Sequence, residues 1–222
     1  MATTYSNANP PNPPLNVDVQ TDAGNFASSK ITLLNFSAAA SAISTLSVTG
    51  RKDPSQSEVD EVYAAVAKSV DAEWPSIVND WNNALSRFVP LIKSVGGDPA
   101  AFQNKAAPYL YEVRILYAKL KLECDAGRPW QFPNTTGNGL TGKDITDRIR
   151  KAGLALPNHP SFPAGHASEA FTLAKLVVQD YPKLGSPAQT IANEISRRRI
   201  IAGVHFKRDI SAAQELVAAA FA

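Results

Sequence analysis

The sequence has little of what marks several large classes of protein. Of its 222 residues only Cys124 is a cysteine, which excludes an internal disulfide framework and any zinc site built from several cysteines. No stretch approaches the ~18 consecutive apolar residues of a membrane-spanning helix, so no membrane span is predicted. Lysine and arginine (22) barely outnumber aspartate and glutamate (20), so the chain lacks the basic field that would indicate a nucleic-acid partner.

Alternating apolar and polar residues, the pattern of β-strands, are also missing over any convincing length. Helical periodicity takes their place. Between residues 59 and 74 apolar residues recur every three or four positions, and Ser55 with Glu58 form a capping pattern at the start. We expect this helix to end at Pro75. Further helices are predicted over residues 77–92 with a kink at Pro90, from Asp98 to before Arg128, near 144–151, over about 164–180, and from Ser186 onward. The sequence therefore predicts an all-α, single-domain helix bundle.

Two segments differ in composition. Residues 1–23 are rich in proline, asparagine and threonine, and we interpret them as an extended N-terminal arm. Residues 24–222 form the predicted helical domain, which is long enough to bury a sizeable core. The first twelve residues are polar and show no signal peptide, so the chain is expected to be cytoplasmic unless a signal peptide has been removed, in which case it is periplasmic or secreted.

Two of the three histidines lie in patterns with chemical meaning. His166 follows Gly165 at a predicted helix start, where free backbone N–H groups form an anion site that glycine leaves accessible. His205 precedes Asp209 by four residues, which on a helix places the carboxylate beside the imidazole.

Cationic residues precede both histidines. Arg199 lies six residues before His205, and a regular helix would turn the two onto different faces. Gly203 offers a break between them. Lys121 and Arg128 are seven residues apart, across a predicted helix end. Each pattern alone is more often a solvated face, a surface pair or an ordinary helix start.

Taken together and in this order, the patterns resemble a known family. Lys-x6-Arg-Pro over residues 121–129, Pro-Ala-Gly-His over residues 163–166, and Arg-x5-His-x3-Asp over residues 199–209 are similar to the three signature motifs of the type 2 phosphatidic acid phosphatase superfamily. That superfamily includes bacterial class A nonspecific acid phosphatases, membrane lipid phosphatases and vanadium-dependent haloperoxidases. The resemblance implies a helix bundle of the acid phosphatase and haloperoxidase type.

The resemblance also implies roles for the histidines. His205 would be the nucleophile that forms a phosphohistidine, and Asp209 would hold its tautomer. His166 would protonate the leaving oxygen and then activate water, with a mildly acidic optimum. No metal is implied, and the expected partners are small phosphorylated substrates or inorganic oxyanions. A homodimer is left open.

The phosphate-binding set follows from the same motifs. Cationic side chains and backbone amides would neutralise the non-bridging oxygens of the phosphoryl group; these are Lys121, Arg128, Gly165 and Arg199, with the amide of His166.

Two positions depart from the family pattern. Ala164 stands where the second motif usually has a serine, which removes a hydroxyl donor to phosphate unless a water or Ser161 takes that place. Arg198 stands where the third motif usually has a serine.

Three alternatives stay open. A vanadium-dependent haloperoxidase would use the same pocket, with His205 as the vanadate ligand. The chain is short for that class, and its Arg-Pro-Trp-Gln-Phe stretch favours the acid phosphatase. A degenerate phosphate-binding domain would fit the two departures. A metal site of His159 with His166 would have a poor spacing across two prolines.

Overall fold

The chain folds into helices, as expected from its periodicity. A computed structural model describes residues 17–27 and 29–222, and across these residues it contains helices and no β-strand. Ten α-helices follow in chain order: α1 Val17–Gly24, α2 Phe36–Gly50, α3 Gln56–Lys68, α4 Trp74–Asn82, α5 Val89–Lys93, α6 Pro99–Cys124, α7 Gly142–Lys151, α8 Gly165–Asp180, α9 Gly185–Ile201 and α10 Lys207–Ala220. The all-α prediction is confirmed.

Most helix starts lie where the sequence places them. Ser55 caps α3 by accepting a hydrogen bond from the Glu58 amide, and the Glu58 side chain returns a bond to the Ser55 backbone. Asp98 caps α6 through the Ala100 amide. Local signals suffice for these boundaries because each cap is completed within three residues.

Two predicted boundaries are wrong. α3 ends at Lys68, and Pro75 lies in the first turn of α4 instead of ending α3. Proline suits a first turn because its missing N–H has no partner there in any case. The expected helix over residues 77–92 is divided into α4, a 3₁₀ turn over residues 84–87, and α5, with Pro90 in the first turn of α5.

The predicted N-terminal arm is partly helical. Residues 1–16 lie outside the described residues. Residues 17–23, expected to be extended, belong to α1, where Val19 and Ala23 pack in one apolar cluster with Ala118 of α6. The polar composition of the segment hid this helix, because a few apolar residues, Val19 and Ala23 among them, make its contact with α6. The division of the chain at residue 24 stays a prediction.

Two apolar clusters make the core. The larger one surrounds α8, which packs against α6, α9 and α10. The smaller one packs α3, α4 and α7 against Trp130, in the loop between α6 and α7, and against the end of α9 and the turn that precedes α10. Among the described residues no helix is both long enough and apolar enough to cross a membrane.

The helix break expected at Gly203 lies between α9 and α10. The φ of Gly203 is +73°, and a Cβ there would lie 2.5 Å from a methyl carbon of Ile145. Only glycine adopts this conformation readily in so little space. The turn lets Arg199, on α9, and His205, in the segment before α10, both lie near His166.

Candidate active site

A cavity of about 220 Å³ opens beside the second and third motifs. Its walls come from α4, α6, the loop that precedes α8, the start of α8, and the turn that precedes α10. Four predicted site residues line it: Arg128, Gly165, His166 and His205. Asp209, Lys121 and Arg199 lie behind its walls, where each is fully buried.

His205 is held at both ring nitrogens. Its Nδ1 lies 3.1 Å from Asp209 Oδ2, and its Nε2 lies 3.2 Å from Arg128 Nη1. A guanidinium can only donate, so Nε2 is the acceptor and the ring proton sits on Nδ1, facing the carboxylate. Burial, followed by the charges of Arg128 and Lys121, holds the pKa of His205 well below its usual range. The imidazole is therefore neutral, with a lone pair on Nε2.

Asp209 is fixed by more than the imidazole. Its Oδ2 also accepts a hydrogen bond from the Phe206 amide at 3.0 Å and a short one from the Ser161 hydroxyl. Ser161 Oγ lies 3.3 Å from His205 Nδ1 as well. Ser161 thus joins the His205–Asp209 pair, and its hydroxyl is not free to replace the serine missing at Ala164.

Arg128 ties three segments together. Nη1 donates to the Val204 carbonyl at 2.6 Å, and Nη2 and Nε donate to the His159 carbonyl at 3.0 and 3.2 Å. His159 Nδ1 is 3.0 Å from Nη2. Burial lowers the pKa of Arg128 to about 9, so the group stays cationic at neutral pH.

Lys121 holds the loop that precedes α8. Its Nζ donates to the carbonyls of Pro160, Ser161 and Pro163 at 2.8, 3.1 and 2.6 Å. Those three bonds use all the donors of an ammonium group. Lys121 therefore reaches the site through the loop, and direct contact with an anion would require it to give up one carbonyl. Its phosphate-binding role stays a prediction.

Arg199 has hydrogen-bond donors that no protein group accepts among the described residues. Nη2 donates to the Ile77 carbonyl at 3.0 Å, and the guanidinium carbon lies 5.3 Å from the ring centroid of Trp81. Nε and Nη1 are buried and have no hydrogen-bond partner among the described residues. Buried donors normally find partners, so the unpaired pair indicates a place for an acceptor that the protein itself does not supply.

His166 begins α8 beside the same tryptophan. Its Nε2 donates to the Trp81 carbonyl at 3.1 Å, which leaves Nδ1 for another partner. Burial, with the charge of Arg199, lowers the pKa of His166 to about 3. No side chain caps α8, because Ala164 stands at its N-cap. The first backbone N–H groups of α8 therefore lack a side-chain acceptor.

Arg198, the departure in the third motif, has a structural partner. Its Nη1 donates at 2.6 Å to Oδ2 of the fully buried Asp80 on α4. The pair fastens α4 to α9. Since α4 carries the carbonyls that Arg199 and His166 bond, Arg198 helps to place the site.

Three side chains of the cavity wall that contact site residues were not predicted as functional. Trp81, within the helix predicted over residues 77–92, contacts both Arg199 and His166. Tyr117 packs against Gly165, where a Cβ would lie 3.2 Å from its ring. Glu169 accepts a hydrogen bond from the Tyr117 hydroxyl at 3.1 Å. The position of Glu169 three residues after His166 was the one available signal.

The two histidines of the alternative metal site, His159 and His166, both contact protein groups. Among the described residues there is no group of three or more histidine, cysteine, aspartate or glutamate side chains that could hold a metal ion. His159 instead contacts Arg128 through its carbonyl and Nδ1.

The chain shares its fold with a PAP2-type phosphatase, and the three motifs resemble those of the same superfamily. It is similar to the solved structure of the first transmembrane PAP2 type phosphatidylglycerolphosphate phosphatase from Bacillus subtilis, with a TM-score of 0.54 and 21% identity. The match covers 81% of this chain and 88% of that one. No family model matches the chain, and no curated protein does. At this identity the likeness establishes the fold, a PAP2-type helix bundle.

Proposed function

We propose that this protein is a phosphatase of the type 2 phosphatidic acid phosphatase superfamily that hydrolyses phosphomonoesters without a metal, as an acid phosphatase does. The observation that carries the proposal is the neutral, buried His205, whose Nε2 lone pair stands beside Arg128 and whose Nδ1 faces Asp209. Once Arg128 Nη1 turns from Nε2 to the phosphate, this histidine is an activated nucleophile, because its orienting carboxylate stabilises the positive charge that forms on attack. The PAP2 fold supports the same proposal.

In the first half of the reaction, His205 Nε2 attacks phosphorus. The N–P bond forms while the bond to the leaving oxygen breaks, and that oxygen keeps the electron pair. His166 supplies its proton from Nδ1, since Nε2 is engaged with the Trp81 carbonyl. In the second half, His166 takes a proton from water, the water oxygen attacks phosphorus, and the electron pair of the N–P bond returns to Nε2.

Charge on the phosphoryl oxygens needs donors that are already in place. The unpaired Nε and Nη1 of Arg199 and the first amides of α8 at Gly165 and His166 supply them. Arg128 contributes its charge, and its Nη1 would reach the anion by leaving His205 Nε2. In this proposal Lys121 contributes its charge and the position of the loop.

The acid role of His166 requires an anion in the pocket. Without one its pKa is about 3, so the imidazole is neutral at the mildly acidic pH expected for an acid phosphatase. A bound phosphate dianion opposes both causes of that shift, because it screens Arg199 and stabilises an imidazolium. The substrate itself would then raise the pKa of its acid.

Vanadate has the shape and charge of phosphate, and the same donors fit it. His205 would be its ligand, with Arg128 and Arg199 around its oxygens, and bound vanadate would supply peroxide activation in a haloperoxidase. No feature of the described residues favours that activity over phosphoryl transfer. Haloperoxidase activity is therefore one outcome of the test below. A homodimer is a separate prediction.

Two parallel assays test the proposal. Purified protein is given a generic phosphomonoester in one assay, and vanadate with peroxide and bromide in the other. Release of phosphate supports the phosphatase, whereas bromide oxidation alone would replace it with the haloperoxidase. Vanadate binding with neither turnover would indicate a degenerate binding domain.

A further inference from the structure

One carboxylate lines the cavity. Glu169 is the single acidic side chain among the described residues of its wall, and it is half-buried there. Its Oε1 accepts the Tyr117 hydroxyl, and its Oε2 accepts no hydrogen bond from the described residues. An acidic group is unexpected in a pocket for phosphate, because like charges repel.

The charges of the cavity are separated along α8. Arg128 and the start of α8 mark the anion end, with Arg199 and Lys121 behind it. Glu169 lies three residues beyond His166, on the same helix face and about 4.5 Å further along the axis. His166 is the proposed acid, so a leaving group that departs past it meets Glu169 next.

The surroundings of Glu169 leave its charge available to a ligand. Arg114 of α6 interacts electrostatically with Glu169 and Tyr117, but it is exposed and does not line the cavity. Trp81, Leu156 and Pro157 supply the apolar part of the wall. Burial raises the pKa of Glu169, and a bound cation would oppose that shift.

We propose that Glu169 is a specificity-determining residue that selects phosphomonoesters whose alcohol carries an ammonium group, and that it disfavours those carrying a second anion. The proposal deepens the proposed function and rests on it in taking the cationic end of the cavity as the phosphate site. A short zwitterion, anionic at one end and cationic at the other, matches both ends of the cavity. The shared chemistry covers soluble amino-alcohol phosphates and the monophosphate esters of amine-bearing lipids.

Phosphonates test the proposal without turnover, because their carbon–phosphorus bond is not hydrolysed. Dissociation constants of 2-aminoethylphosphonate, propylphosphonate and phosphonoacetate are measured by calorimetry at one mildly alkaline pH. We expect the ammonium compound to bind most tightly and the carboxylate compound most weakly. In Glu169→Gln the preference for ammonium over the neutral compound falls about fivefold, the effect of one partly exposed charge pair.

Controls separate this role from others. Glu169→Asp keeps the charge and retains the ranking, and Glu215→Gln makes the same charge change at an exposed position of α10 and also retains it. An unchanged ranking in Glu169→Gln, or no binding of any phosphonate, overturns the proposal. A uniform loss of kcat for all the corresponding esters, with the ranking intact, would instead make Glu169 catalytic and also overturns it.

The outcomes also separate the proposal from the proposed function. The expected phosphonate ranking without hydrolysis of any ester would refute the phosphatase and keep the specificity. Hydrolysis of the esters without the expected phosphonate ranking would refute the specificity and keep the phosphatase. A vesicle containing the monophosphate ester of an amine-bearing lipid, tested beside soluble aminoethyl phosphate, tells the two substrate sources apart.

Discussion

Replacing Arg199 by glutamine removes the buried guanidinium whose Nε and Nη1 lack a partner among the described residues. If these donors bind phosphate or vanadate, the variant loses two hydrogen bonds to a charged ligand, each contributing roughly 1.5–3 kcal/mol. At the low end the loss is about 3 kcal/mol, which weakens anion binding about 140-fold.

The free protein should change little. The variant loses the bond to the Ile77 carbonyl and the contact with Trp81, but it no longer buries two unpaired donors beside Arg198. We expect these effects to offset to within about 2 kcal/mol. A residue that served only the fold would instead destabilise the protein when removed and leave anion binding intact.

Thermal unfolding with and without vanadate measures both quantities. At about 100 times the wild-type Kd, the wild-type protein gains about 2.7 kcal/mol and the Arg199→Gln variant about 0.3 kcal/mol. For a chain of this size that corresponds to a rise in Tm of about 5–11 °C against about 1 °C.

Arg197→Gln is the matched control. It removes the same charge from the same helix, two residues earlier, where Arg197 is exposed and pairs with Glu73 at 3.1 Å. We expect it to keep the wild-type rise in Tm. An equal rise in Arg199→Gln would refute the assignment of the unpaired donors to the anion.

Four further predictions follow from the site. With an isotopically labelled phosphate ester of a good leaving group, wild-type protein quenched in base, where phosphohistidine survives, should carry the label and His205→Ala should carry none, whereas His166→Ala should accumulate the label because water is no longer activated; label on His205→Ala would refute the nucleophile. Ala164→Ser should lower the vanadate inhibition constant by about tenfold, since a hydroxyl again reaches the anion; an unchanged constant would mean that the donor set is complete without it. The free energy of unfolding should fall as the pH drops from the unfolded histidine pKa near 6.5 towards about 3, because the unfolded chain binds a proton that the half-buried His166 of the folded protein does not bind. Denaturant unfolding at several pH values, with and without phosphate, should show this slope reduced by the anion, and an identical slope in His166→Gln would contradict it. Arg198→Ala should cost about 3 kcal/mol in denaturant unfolding, because it leaves the fully buried Asp80 without its shorter ion pair; a loss below about 1 kcal/mol would show that the remaining pair suffices.

The helices and the order of the motifs could be predicted from the sequence because both depend on neighbouring residues. A cap closes within three residues, as at Ser55 and Glu58. His205 and Asp209 are also close in the chain and meet, although His205 lies in the turn before α10 and only Asp209 is on that helix. Gly203 indicates the end of a helix in the sequence, because its positive φ is a conformation that glycine adopts far more readily than other residues. These local rules were enough for the all-α fold class and for the motif residues.

Tertiary structure alone decided what Lys121 and Arg199 contact. Lys121 donates its hydrogen bonds to carbonyls of the loop before α8, about forty residues later in the chain. Arg199 donates to the Ile77 carbonyl, 122 residues earlier. Such pairings leave no periodic trace in the sequence, because backbone carbonyls are the same at every residue. The acidic wall at Glu169 and the contact of Trp81 with Arg199 and His166 arise in the same way, from helices that are distant in the chain and packed against each other around a shared apolar core.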